Sequence, residues 1–347
     1  MEKFSQYRDR GSGIAPFFPV PTESSGIALP FHIFLFLVRV PLLLATFILY
    51  YFALSWLPLG SLLKKGILWV MIGIPGIWWI DLQIDGVRRG QLGKAPANRL
   101  PGPRTIIASS YTSPLDCLYL AAIFDPVFTV SWPNTLKVQR ISLAQAMIRA
   151  FSSPEMSPPP KARLTDLATL LKENPDSPIV VFPECTTTNG RGILPFSPSL
   201  LTAPPNTKIF PLNLRYTPGD VATPLPGTYL SFLWNLCSKP THCIRTRIAE
   251  CVYNTSKSPS NGVRPPQLKP NSIDTNFFDG LNLGDKASSS ETLVGSEELG
   301  IDGLNADERK VLDRIGEDLA RLGRVKRVGL GVKEKEEFVK AWTKKRH

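Results

Sequence analysis

The chain has 347 residues, 43% apolar residues and a formal net charge of +11, enough for one large domain or two modest ones. Such a positive balance draws anionic partners, either nucleic acid or an acidic membrane surface. No helix-turn-helix, zinc-finger or RNA-reader motif is visible, so nucleic acid is excluded as a partner.

The predicted elements begin with a tail over residues 1–30 and membrane-anchoring segments over 31–82. Residues 40–57 contain no charged side chain. At about 1.5 Å per residue this stretch and its flanks can cross a hydrocarbon core of roughly 30 Å. It begins too far from Met1 for a cleavable signal peptide. A second apolar run, residues 66–80, spans only about 22 Å if fully helical, and Pro75 interrupts it. Trp69, Trp78 and Trp79 suit the headgroup level of a membrane, so the run reads as a re-entrant or interfacial segment; the alternative is a helix packed on the domain that follows. Arg39 before the first run and Lys64-Lys65 after it place positive charge at both ends, which leaves orientation open.

Residues 100–253 alternate strand-like and helical patterns. Strands are predicted over 104–109, 127–132, 178–182 and 208–216, with helices over 116–124, 141–151 and 162–173. This alternation predicts an α/β fold with a mainly parallel sheet and flanking helices. Functional loops in such folds lie at the carboxyl ends of strands. Two unusual loops fall there: residues 110–116 after the first strand and 183–192 after the third.

The loop Ser110-Tyr-Thr-Ser-Pro-Leu-Asp116 resembles the first motif of the phospholipid/glycerol acyltransferase family, an Asn-His pair, four residues, then Asp. Phe182-Pro-Glu-Cys-Thr-Thr-Thr-Asn-Gly-Arg-Gly-Ile-Leu-Pro-Phe196 resembles that family's Phe-Pro-Glu-Gly-Thr motif, and Ile209-Phe-Pro-Leu-Asn-Leu214 its last motif. Within the family the chain is most similar to the fungal lysophosphatidic acid:oleoyl-CoA acyltransferase group. The resemblance implies acyl transfer from acyl-CoA, as co-substrate and without other cofactor, to the hydroxyl of a lysophospholipid, most simply lysophosphatidate to phosphatidate in glycerolipid synthesis. It also implies contact with membrane lipids and a cytosol-facing domain on the endoplasmic reticulum membrane or lipid droplets.

By that resemblance, Asp116 would orient the catalytic base, and Glu184, Cys185, Thr186 and Arg191 would bind the acceptor. A guanidinium such as Arg191 can hold a phosphate in bidentate fashion. Two positions depart from the family. Where the base should stand, this chain has Tyr111; an unperturbed phenol is ionised in only about one molecule in a thousand at pH 7. The motif glycine is Cys185, which implies altered loop geometry. The second motif, with its phosphate-binding arginine, is not recognisable; Arg149, Lys161 and Arg163 are the nearby cations. His242 is a candidate displaced base; alternatively it is structural. Asp116 also suits the cap of the following helix. The missing histidine leaves a second function open, a catalytically silent lipid-binding or scaffold protein in lipid-droplet or vesicle traffic.

Residues 254–303 are rich in Ser, Pro, Asn and Gly and read as a flexible linker or insertion. In the last segment, 304–347, a helix is predicted to start at Asn305, capped with Glu308, with Val311, Leu312, Ile315, Leu319 and Leu322 on one face and Gly323 as its stop. A second, basic helix follows over 334–344. From Arg321 onward there are ten Lys or Arg against three Glu, suited to solvent or to anionic headgroups.

Overall fold

A computed structural model describes residues 2–23, 25–54, 61–87, 99–256 and 304–344. Most of the predicted linker (257–303) and His347 lie outside the described residues. In chain order the elements are α1 (Leu29–Ile48), α2 (Ser61–Gly73), β1 (Ile77–Ile84), β2 (Ile106–Ser109), α3 (Pro114–Phe124), β3 (Val127–Val130), β4 (Val138–Ile141), α4 (Leu143–Arg149), β5 (Leu164–Thr165), α5 (Leu167–Glu173), β6 (Ile179–Val181), β7 (Gly192–Ile193), β8 (Lys208–Thr217), α6 (Tyr229–Ser238), β9 (His242–Ile248), β10 (Val252–Tyr253), α7 (Ala306–Gly323), β11 (Lys326–Arg327) and α8 (Val332–Lys344).

The main sheet runs β1-β9-β8-β2-β6-β3-β4-β5, with β10 also paired to β8. Its centre, β8-β2-β6-β3, is parallel. Antiparallel pairs β3–β4, β4–β5 and β8–β9 extend it on both sides, and β1 closes one edge parallel to β9. The four predicted strands form this parallel centre, a mostly parallel mixed sheet flanked by helices. Consecutive side chains point to opposite faces, and the core divides accordingly. Ile107, Val180 and Phe210 face the layer that holds α2, α3, α4 and α6. Ile106, Ala108, Ile179, Val181 and Ile209 face α5 and α7. Each such buried aliphatic side chain contributes roughly 1.5–3 kcal/mol. Helix α3 is buried from Pro114 to Ala122, as expected of a helix that is apolar on every side.

The apolar run 66–80 is not one segment. Its first half lies in α2, where Leu68, Met71 and Ile72 are buried. Pro75 and Gly76 break the helix, Gly76 at φ +88°, and the second half becomes strand β1. A strand here pairs its backbone with β9 from Ile77↔His242 to Ile84↔Ile248, which an interfacial helix would leave to intrahelical bonds. Helix α1 forms part of an apolar helix, Gly26–Phe52, that is long and apolar enough to cross a membrane.

At the other end of the chain, all five predicted core residues of α7 are buried. Asn305 N–H donates to Glu308 Oε2 at 3.0 Å. Gly323 is the last helical residue, and Arg324 takes the left-handed cap at φ +51°. A third cluster joins the two chain ends: Phe4, Tyr7 and Phe17 pack with Leu194, Val328 and Phe338.

Candidate active site

Strands β2 and β6 are neighbours in parallel register, Ala108 opposite Val181. Their carboxyl ends therefore deliver the loops 110–116 and 183–192 side by side. A hydrogen bond from Thr188 N–H to Tyr111 O, 3.0 Å, ties the two loops together.

In the first loop, Asp116 is fully buried. Its Oδ2 accepts from the backbone N–H of Thr112 at 2.6 Å and of Ser113 at 2.9 Å, and from the Thr112 hydroxyl at 3.2 Å. Its Oδ1 accepts from the Tyr216 hydroxyl at 2.5 Å. The carboxylate thus completes the capping box of α3 and fixes the shape of the loop. Burial pushes its pKa up to about 6, against the pull of these donors. Tyr111 points elsewhere. Its hydroxyl donates to Ala146 O at 2.7 Å, and its ring stacks on Phe182 at 4.3 Å. Burial holds the phenol well above its ordinary pKa, so it can donate a hydrogen bond or pack but is no resting base.

In the third-motif loop, Glu184 is buried and its Oε2 accepts from Leu194 N–H at 3.1 Å. Burial raises its pKa to about 8, opposed by backbone hydrogen bonds from Leu194 and Tyr111 and by Lys335. Cys185, where an altered backbone was expected, instead adopts φ +59°, the left-handed conformation that a glycine would take without cost. Its thiol is pushed to about 11 by burial, so it is a poor nucleophile at neutral pH. Thr186 and Thr187 are buried against Lys335 of α8. The lysine Nζ lies 2.9 Å from Thr186 Oγ1, 2.6 Å from Thr187 O and 3.0 Å from Thr187 Oγ1. Asn189 Nδ2 donates to Ala15 O and Phe18 O, at 2.8 and 2.9 Å. Arg191 is exposed at the loop's outer end.

His242 opens β9, two strands over from β2 in the main sheet. Its Nε2 lies 2.9 Å from Leu236 O and its backbone N–H donates to Gly76 O. Burial lowers its pKa. No histidine hydrogen-bonds to Asp116 or Tyr111 among the described residues. Of the three cations near the missing second motif, Arg149 borders the small cavity that Tyr111, Ser131, Phe182 and Cys185 also line. Its guanidinium pairs with Glu155 at 2.9 Å and lies over Trp132. That cavity, about 10 Å³, is close to the size of one water. A larger apolar cavity of about 190 Å³ starts at Pro114 and Leu115 and runs between α1, α4 and α6.

Two site residues were missed in the sequence. Tyr216 sits 100 residues from Asp116, and no spacing rule links them. Lys335 did leave a signal: it falls three residues from both Val332 and Phe338, on the buried stripe of α8.

No family model matches the chain, and no solved structure matches it. Among curated proteins, it is 29% identical over 258 residues to a Schizosaccharomyces pombe protein named "Putative lysophosphatidic acid:oleoyl-CoA acyltransferase". The match covers 72% of this chain and 84% of that protein. With the α/β fold and the two motif loops paired at adjacent strand ends, this similarity supports a related acyltransferase family for the chain.

Proposed function

We propose that the chain transfers an acyl group from acyl-CoA to the free hydroxyl of a lysophospholipid, with lysophosphatidate as acceptor and phosphatidate as product. In this reaction the thioester C–S bond breaks, the ester C–O bond forms, and the hydroxyl proton leaves with the CoA sulfur. The observation that carries the reading is the joining of loops 110–116 and 183–192 on neighbouring parallel strands, in a chain similar to a protein with an acyltransferase name. Asp116 acts as a positioning residue for the first loop. Glu184, Cys185 and Thr186 shape the acceptor side, and Arg149 and Arg191 are the cations for its phosphate. The cytosolic face of the endoplasmic reticulum membrane or a lipid droplet, where both substrates meet, is the proposed location.

The test uses purified full-length protein in nanodiscs with labelled oleoyl-CoA and lysophosphatidate. Asp116→Ala, checked for retained fold, should lose turnover. His242→Ala should keep it, since His242 bonds to the end of α6, and Tyr111→Phe reports whether the phenol hydroxyl assists. No turnover above the Asp116→Ala background, across several lysolipids and acyl-CoAs, would sink the proposal and leave a lipid-binding scaffold.

A further inference from the structure

The strands β1, β9 and β8, at one edge of the main sheet, turn one face toward the C-terminal end of α7. Side chains alternate along a strand, and the register fixes which of them share that face. Three rows result. Trp79, Cys243 and Thr217 form the first, Asp81, Arg245 and Arg215 the second, and Gln83, Arg247 and Asn213 the third. The opposite face of the same strands is apolar, with Ile244 and Ile248 buried in the core.

Arginine dominates these rows. Arg215 lies directly opposite Arg245, a like-charge cross-strand pair of the kind that destabilises a sheet. Arg247 follows two residues after Arg245 on the same face. Arg324 adds a fourth guanidinium from the end of α7. That helix end is seated on the face: Arg247 Nη1 donates to Leu322 O at 2.5 Å, and a Cβ on Gly323 would meet Asn213 Nδ2 at 3.2 Å. Burial first, then repulsion from Arg324 and Arg245, lowers the Arg247 pKa.

The cluster is under-neutralised. Asp81 pairs with Arg245 at 3.1 Å, and Arg247 Nε donates to the neutral Gln83 Oε1 at 3.2 Å. The acids at the neighbouring Arg321, Asp85 and Asp318, are engaged by that arginine. Among the described residues, the Arg215 and Arg324 side chains have no hydrogen bond or ion pair.

Arg324 also strains the backbone. It caps α7 in the left-handed region at φ +51°, where helices usually place glycine and where any side chain is disfavoured. The opposed Arg215–Arg245 pair and the strained Arg324 both cost stability, and both put guanidinium on one face. Such costs persist at sites where a ligand offsets them.

The neighbouring groups indicate which ligand. Trp79, 73% exposed, stands one row from Arg245 and Arg215, a distance of about 7 Å along the strand. Arg39, in the middle of the apolar helix Gly26–Phe52, donates to Pro240 O at 2.9 Å, two residues before β9 begins. The apolar helix, the exposed indole and the arginine rows therefore follow one another along β9. Indole rings favour the headgroup level of a membrane, and guanidiniums bind phosphate in bidentate fashion.

We propose that the β1–β9–β8 face is a docking site for anionic phospholipid headgroups, with Arg215, Arg245, Arg247 and Arg324 on lipid phosphates and Trp79 beside them at the membrane surface. The site lies on the face of the sheet opposite Tyr216 and Asp116, and it stands whether or not the protein catalyses acyl transfer.

The experiment mixes full-length protein in neutral detergent with liposomes of phosphatidylcholine, alone or with about one fifth phosphatidylserine, and reads affinity by flotation against lipid concentration. Phosphatidylserine should raise the affinity of the parent at about 50 mM NaCl, and about 500 mM NaCl should remove the gain. Arg215→Gln/Arg324→Gln should lose most of it, roughly fivefold per charge, and keep the parent's affinity for phosphatidylcholine alone. Lys310→Gln/Lys340→Gln, the same charge change on exposed parts of α7 and α8, should retain the gain. Arg324→Gly should lower the gain while raising the thermal midpoint, since glycine takes the left-handed cap without strain; a misfolded variant would lower both. No gain from phosphatidylserine, or an equal loss in the two double variants, overturns the proposal. So does release from the phosphatidylserine liposomes by inorganic phosphate at fixed ionic strength, which would assign the arginines to a soluble anion, or tighter binding of an RNA oligonucleotide than of the liposomes.

Discussion

The ammonium of Lys335 lies 2.9 Å from the hydroxyl of Thr186, a residue 149 positions earlier in the chain. The basic C-terminal helix thereby reaches into the motif loop with one buried cation and keeps its other charges outside. Burial lowers the lysine's pKa to about 7, with Glu184 opposing the shift. Lys335→Met keeps the length of the side chain but leaves Thr186 Oγ1, Thr187 O and Thr187 Oγ1 without this donor. A loss of roughly 3 kcal/mol in unfolding free energy is expected, read by urea denaturation in detergent. A change under 0.5 kcal/mol would mean that the lysine is not held as described.

Glu184 sets a pH dependence of its own. Its folded pKa, about 8, lies above the ordinary value of 4.5, chiefly because of burial. The folded state thus binds more protons between these values, and the contribution is complete below about 4.5 and lost as pH rises toward 8. Glu184→Gln carries no such proton, so the variant should gain stability relative to the parent as pH goes from 5 to 7. Lys335 titrates with the opposite sign above that window, since its folded pKa is lowered from 10.5 to about 7. Parallel melting curves at pH 5, 6 and 7 check the trend; a constant difference would contradict it.

Tyr216 holds one oxygen of Asp116 at 2.5 Å. Tyr216→Phe removes the hydroxyl and leaves the ring packed in place. The buried carboxylate then lacks its best donor on that oxygen, with an expected cost of about 1–3 kcal/mol. The Tyr216 bond lowers the Asp116 pKa, so the Asp116 carboxyl should also titrate higher in the variant. Carboxyl NMR or infrared titration of the two proteins would show this directly.

Cys185 sits in a backbone conformation that strains any side chain with a Cβ, by roughly 1–2 kcal/mol. Its sulfur makes long contacts, 3.5 Å to Ser131 Oγ and 3.5 Å to Pro183 O, and the Ser197 side chain also hydrogen-bonds to it. Cys185→Gly should therefore be neutral or stabilising by up to about 1 kcal/mol. Cys185→Val, β-branched at positive φ, should be destabilised by roughly 2 kcal/mol or more. The order Gly, Cys, Val in thermal midpoint is the expected readout.

Local sequence determined much of this protein. The parallel centre of the sheet was legible because β2, β3, β6 and β8 are short apolar runs between helical patterns, and buried strands need little else to be recognised. The face of α7 was legible for the same reason, since Val311 to Leu322 repeat at the helical period. The position of both motif loops followed from the strands that precede them.

The use of individual side chains was decided by tertiary structure. Tyr111 and Asp116 share a loop, yet one bonds to α4 and the other to β8, because neighbours in a loop diverge once each finds a buried partner. His242 was a candidate base on composition, and its ring is tied to Leu236 at the end of α6, where β9 begins beside the edge strand β1 that the apolar run 66–80 did not announce. Arg39, read as a flanking charge of a membrane helix, is a pin into the carbonyls at the end of α6. Sequence sets which groups want to be buried through local pattern and period; which polar partner each buried group meets is set by elements far apart in the chain, since only packing brings their donors and acceptors within about 3 Å of each other.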